Sequence, residues 1–167
     1  MRKILYIFGQ LTDNDVTWLA RFGRRLRVPA GAVLIEQGVP VETLYIVLQG
    51  ELQVTQRDAT RVIARLSAGE VVGEMSFIDA RPPSATVSAA TDSVVYAISK
   101  ARLQHELETN APFAARFYKA VATFLSDRVR QTLGSEPNPD ELDANVLDNL
   151  DRAGARFDSL GRQLLDA

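Results

Sequence analysis

The residues of this chain best equipped for chemistry lie in one run, Gly73-Glu74-Met75-Ser76-Phe77-Ile78-Asp79-Ala80-Arg81-Pro82-Pro83-Ser84-Ala85-Thr86-Val87. Their types suit a phosphate with a sugar attached. Gly73 lets the backbone approach an anion closely, and a helical turn from Met75 to Ile78 aims free N–H groups and a positive dipole end at it. Glu74 repels a phosphate, but its carboxylate can accept a hydrogen bond from a ribose hydroxyl. Ser84 adds a hydroxyl and its own N–H. Arg81 supplies a cation, with Asp79 two positions before it.

Such a run needs a scaffold to hold it. Residues 33–35, 44–48, 52–54, 62–66, 85–89 and 94–98 have the length and the β-branched, aliphatic composition of short strands. Glycines 31, 38, 50, 69 and 73 punctuate them as turn formers. Many short strands at regular spacing predict a sandwich or barrel. Helices flank this region. Residues 1–23 read as a helical segment, with Thr12 as N-cap, Asp13 and Asp15 in the first turn, Val16, Leu19, Ala20 and Phe22 facing inward, Trp18 in the core and Gly23 as the stop. Arg24, Arg25 and Arg27 read as a basic cluster at a helix end.

After the strands, 100–108 reads as a short helix carrying the single histidine, His105, a surface or packing residue. Pro112 opens a long helix to Leu133, as N1. Phe113, Phe117, Val121, Phe124 and Leu125 form its apolar stripe, widened by Ala114, Ala115, Ala120 and Ala122. Residues 134–139 read as a linker. Beyond it Val146, Leu150, Ala153, Phe157, Leu160 and Leu164 mark an amphipathic helix over 140–167, docking on the same chain, a dimer mate or a partner.

The order Leu-Tyr-Ile-Val-Leu-x-Gly-Glu-Leu, then Ala-Gly-Glu-Val-Val-Gly-Glu-Met, then the run 73–87, resembles the cyclic nucleotide-binding domains of catabolite activator proteins and of cyclic-nucleotide-regulated kinases and channels. The resemblance covers roughly residues 12 to 133 and implies an α+β fold: an antiparallel, jelly-roll-like β-roll over 24–99, an N-terminal helix, and C-terminal helices over 100–133. It makes 73–87 a phosphate-binding cassette, with Gly73, Glu74, Met75, Ser76, Ser84, Ala85 and Thr86 as ligand positions and Glu74 on the ribose 2′-hydroxyl. It also implies that the long helix packs over the nucleotide and joins two copies into a homodimer through 112–133. The homodimer is the preferred assembly, and burial of the wide stripe in one core is the alternative.

One position departs from the family pattern. The arginine that pairs with the phosphate is replaced by Pro83, which has neither charge nor N–H. Three arrangements follow. Arg81 faces the same way as position 83 in an extended segment and reaches the phosphate from a shifted anchor; or Arg81 is solvated and pairs with Asp79, and the pocket is altered or dead; or the pocket takes a cyclic dinucleotide such as cyclic di-GMP, which arginines hold by pairing and stacking. Arg61 and Arg65 are further sources of charge.

Composition narrows the function. The chain has 167 residues, a net charge of −2 and no cysteine, so disulfides and thiolate chemistry are excluded. The apolar run 4–8 is too short for a signal-peptide core or a membrane span, and the expected location is cytoplasmic. One histidine and no convincing nucleophile or carboxylate pair argue against an enzyme, and no cofactor or metal is expected. No helix-turn-helix pattern follows the long helix, so direct DNA binding is not expected either. The expectation is a regulatory sensor of cyclic AMP, cyclic GMP or a cyclic dinucleotide that signals through a partner protein, against a ligand-free dimeric scaffold on the same fold.

Overall fold

The computed structural model describes residues 9–56, 61–134 and Ala155. The linker 134–139, except Gly134, and all but Ala155 of the helix expected over 140–167 lie outside the described residues, as do residues 1–8. The chain divides into two compact units, one of Arg21–His105 and one formed by the segments on either side, up to Ala20 and from Glu106 onward.

The Arg21–His105 unit holds eight strands: β1 (Arg24–Val28), β2 (Val33–Ile35), β3 (Thr43–Gln49), β4 (Glu51–Thr55), β5 (Val62–Ser67), β6 (Val71–Val72), β7 (Thr86–Ala89) and β8 (Ser93–Ser99). They form two four-stranded antiparallel sheets, ordered β1-β8-β3-β6 and β2-β7-β4-β5. Both sheets feed one apolar core, in which Val47 and Val95 from the first meet Leu52, Leu66 and Val87 from the second. Val47, Leu52 and Val95 are fully enclosed, each contributing roughly 1.5–3 kcal/mol by burial. This is the expected β-roll.

Two strands were not expected. The arginines 24, 25 and 27 belong to β1, not to a helix end, and pair with β8 in the register Arg25↔Tyr96, Leu26↔Val95 and Arg27↔Val94. Leu26 and Val28 alternate with arginine and join the core, the period of a half-buried strand. The second, β6, is two residues long and buried, too short for any period to register.

Tight connections set the sheet geometry. Gly50 joins β3 to β4 at φ +85, and a Cβ there would stand 2.7 Å from the Asp92 carbonyl oxygen, which leaves no room for a side chain. The turn from β5 to β6 is closed by Glu70, whose carboxylate accepts the Ser67 N–H at 2.8 Å while its own N–H donates to the Ser67 carbonyl at 3.1 Å.

The strands are accompanied by helices α1 (Asp13–Phe22), α2 (Glu74–Asp79), α3 (Lys100–Thr109) and α4 (Ala111–Thr132). Thr12 caps α1 as expected, its hydroxyl accepting from Asp15 N–H at 3.3 Å, and Asp15 returns the bond by accepting from Thr12 N–H at 2.8 Å. In α4 the cap is Asn110, whose side-chain oxygen accepts the Phe113 N–H at 3.2 Å. The helix thus starts at Ala111, one residue before Pro112. Phe113, Phe117, Ala120, Val121 and Phe124 are its buried face. Trp18 is half-buried and packs against Phe113, the two rings tilted by 54° with centroids 5.7 Å apart.

Candidate functional site

The cassette is positioned by its two ends. Upstream, β6 lies on β3 with Tyr45 opposite Val72 and Ile46 opposite Val71. The chain then passes so close to β3 that a Cβ on Gly73 would stand 2.9 Å from the Thr43 carbonyl oxygen, and Gly73 has φ +91. Only glycine meets both demands at low cost. Helix α2 opens at the next residue, with Phe77 N–H donating to the Gly73 carbonyl at 3.2 Å. Downstream, the Pro83 carbonyl accepts the Gly38 N–H at 2.9 Å and the Thr86 hydroxyl accepts the Gln37 N–H at 3.1 Å. These bonds pin the end of the cassette to the loop after β2, and Thr86 starts β7 opposite Thr55 of β4.

Within this frame Glu74 is buried, at 4% exposure. Met75 and Ser84 are exposed, while Ser76, Ala85 and Thr86 are half-buried. Arg81 faces Asp79. Its N–H donates to Asp79 Oδ1 at 3.0 Å, its Nε lies 3.7 Å from Asp79 Oδ2, and its side chain is 83% exposed. Arg65 is salt-bridged to Glu51, and Arg61 is exposed just before β5.

A residue that the sequence did not flag lies beside the cassette. Lys100, the first residue of α3, is 8% exposed, and its Nζ has no hydrogen-bond partner. Its backbone is tied down by donation from its N–H to the Glu42 carbonyl at 3.0 Å. Burial pushes the ammonium below its ordinary value of 10.5, and the carboxylates of Glu42, Glu74 and Asp79 oppose that shift without reversing it. The only signal for it in the sequence is a lysine directly after an apolar strand, which ordinarily marks a solvated helix start.

Lys100 lines a cleft of about 280 Å³ bounded by the loop before β3, the cassette from Ser76 to Pro82, and the first turns of α3. Of the residues singled out from the sequence, Ser76 and Arg81 line this cleft, and Gly73, Glu74, Met75, Ser84, Ala85 and Thr86 do not. The cassette therefore presents two groups of residues rather than one. Among the described residues no three His, Cys, Asp or Glu side chains converge as a metal site requires.

Residues 25–110 match the family model of the cyclic nucleotide-binding domain. A cyclic nucleotide-gated potassium channel of Mesorhizobium japonicum is 33% identical over 116 residues, spanning 70% of this chain and 31% of the channel. The crystal structure of a cyclic nucleotide-binding domain from Methylobacillus flagellatus superposes with a TM-score of 0.70 at 23% identity, covering 81% of this chain and 84% of that one. The catabolite activator protein of Thermus thermophilus superposes with a TM-score of 0.63 at 20% identity, covering 95% and 87%. At these identities the two structures speak for the fold alone. This chain spans under a third of the channel's length.

Proposed function

The chain belongs to the cyclic nucleotide-binding domain family, and from that premise we propose that it is a non-enzymatic regulatory module that binds a cyclic nucleotide at residues 73–86. The observation that carries this reading is the pairing of Gly73 at φ +91 with Glu74 buried at the start of α2. A buried carboxylate next to a glycine-only backbone is costly in a plain β-roll and useful opposite a ribose hydroxyl. In this reading Glu74 accepts from the ribose, and Ser84, Ala85 and Thr86 face the phosphate. Arg81 exchanges Asp79 for the phosphate, an exchange made cheap by the exposure of the pair. The ligand is cyclic AMP, cyclic GMP or, given Pro83, a cyclic dinucleotide such as cyclic di-GMP. The output passes through the helices after β8 to a partner protein, in the cytoplasm.

Dimerisation through α4 is part of the proposal. Opposite its buried face, Ala115, Tyr118, Ala122 and Val129 are exposed, with Leu125 half-buried among them. Their spacing alternates between three and four, the pattern of a two-helix seam.

A second reading is favoured by the Arg81–Asp79 pair and by Pro83: a scaffold of the same fold that takes no nucleotide. Calorimetric titration with cyclic AMP, cyclic GMP and cyclic di-GMP separates the two. Binding of one of them at about 1 μM or tighter supports the sensor; absence of heat from all three in folded protein establishes the scaffold.

A further inference from the structure

We propose that the outer edge of β1 is a docking site for an acidic, extended segment of a partner protein, which joins the sheet as a further strand. β1 is the end strand of the sheet β1-β8-β3-β6, so one side of its backbone has no neighbouring strand. Among the described residues, the backbone of Arg24, Leu26, Arg27 and Val28 is hydrogen-bonded to no element but β8. The other end strand of the sheet, β6, is only two residues long. β1 has five, an edge of about 17 Å at the usual rise per residue.

Charge then selects the strand. Arg24 and Arg27 lie on β1 and are exposed. At its start, exposed Arg21 and Arg102 arrive from α1 and α3 and lie over the same Phe22 ring, 5.6 and 5.9 Å from its centroid. Among the described residues none of these four guanidinium groups has a carboxylate partner, whereas Arg65, Arg81 and Arg116 each have one. The excess is local, because the whole chain carries a net charge of −2. Positive charge on an edge strand repels a second strand of its own kind and attracts one rich in carboxylates, which guanidinium groups hold through paired hydrogen bonds. Nucleic acids and lipid headgroups share the negative charge, but their phosphodiesters carry no N–H groups for the free carbonyls of the edge. A polypeptide offers donors and acceptors in alternation, as strand addition requires.

The test is an amide chemical-shift titration of the whole chain with short synthetic peptides at constant ionic strength. A peptide alternating Glu with Thr is expected to give saturable shifts over residues 24–28 and slower amide exchange there, with a dissociation constant on the order of 100 μM or tighter. A peptide alternating Glu with Pro keeps the charge but cannot pair as a strand, and should bind about tenfold more weakly or worse. A peptide alternating Lys with Thr should not bind. Arg24→Gln combined with Arg27→Gln should weaken the Glu-Thr peptide by about tenfold and leave the cyclic nucleotide titration as in the unmodified chain, so this site and the cassette reading fail independently. The three peptides compared on the unmodified chain keep the test decisive if the variant does not fold. Absence of saturable shifts, shifts confined to residues away from β1, or equal affinity in the double variant overturns the proposal. Equal binding of the Glu-Pro peptide overturns strand addition. Tighter binding at β1 of a single-stranded DNA oligonucleotide, or of phosphatidylglycerol vesicles, overturns the choice of a polypeptide.

Discussion

Arg116 holds Asp15 in a two-pronged grip, Nε to Oδ2 at 2.7 Å and the terminal nitrogen to Oδ1 at 2.8 Å, joining residues 101 positions apart in the chain. The same carboxylate also closes the capping box of α1 through Thr12. Burial alone would raise the Asp15 pKa; the hydrogen bonds from Arg116 and Thr12 outweigh it, and the carboxyl sits below its ordinary 3.8. On acidification the unfolded chain therefore takes up its proton first. The stabilisation is present above pH 3.8 and is lost as pH falls through the lower folded value. Asp15→Asn should lower the melting temperature by several degrees at pH 7, and the gap should close by pH 2. Thermal melts of both proteins against pH test this; a gap constant with pH would remove Asp15 as the cause.

Arg81→Ala should abolish nucleotide binding if Arg81 leaves Asp79 to meet the phosphate, whereas Glu74→Gln should weaken it by about 1–3 kcal/mol through the lost charged acceptor. Calorimetry on the two variants separates the roles. Unchanged affinity in Arg81→Ala moves the phosphate charge to another residue, with Arg61 the first to examine, since Arg65 is occupied by Glu51.

Lys100→Met should fold and should melt higher than the unmodified chain at neutral pH. The reason lies in the lowered pKa of Lys100. Between its folded value and 10.5 the unfolded chain holds a proton that the folded chain has released, so stability contributed by this group rises with pH in that window. The advantage of the variant should shrink as pH approaches 10.5. Melting curves from pH 7 to 10.5 read this directly, and an advantage that grows with pH contradicts it.

Tyr118→Glu and Val129→Glu place charge on the exposed seam of α4, where the native side chains are 47% and 57% exposed. Light scattering should show a dimer for the unmodified chain and a monomer for the double variant, with helical content retained. A monomeric unmodified chain would sink the dimer proposal.

Gly73→Ala should cost about 1–3 kcal/mol from positive φ alone, with more from the approach to the Thr43 carbonyl oxygen. A denaturant titration with an unchanged midpoint would mean that the cassette start can relax away from β3.

The cassette and most strands were legible in the sequence because their information is local. Gly73-Glu74, the glycine turns and the aliphatic runs each occupy a few adjacent positions, and backbone sterics translate them directly into turns and strands. β1 was legible only in retrospect. Its alternation of Arg25 and Arg27 with Leu26 and Val28 was masked by charge, and its strand identity comes from β8, about seventy residues away. Asn110 outcompeted Pro112 as the start of α4 because a side-chain acceptor for Phe113 N–H fixes the helix end more firmly than a preset φ.

By itself the sequence determined the β-roll, its flanking helices and a cassette lacking the usual arginine, since period, turn chemistry and motif are properties of neighbouring residues. Tertiary structure alone decided three things. It set Asp15 against Arg116, it turned Arg81 toward Asp79, and it buried the Lys100 ammonium beside a cleft. Each depends on which distant segments meet: a charge acquires its partner, its solvent exposure and its proton affinity from neighbours that only the folded chain brings within a few ångströms.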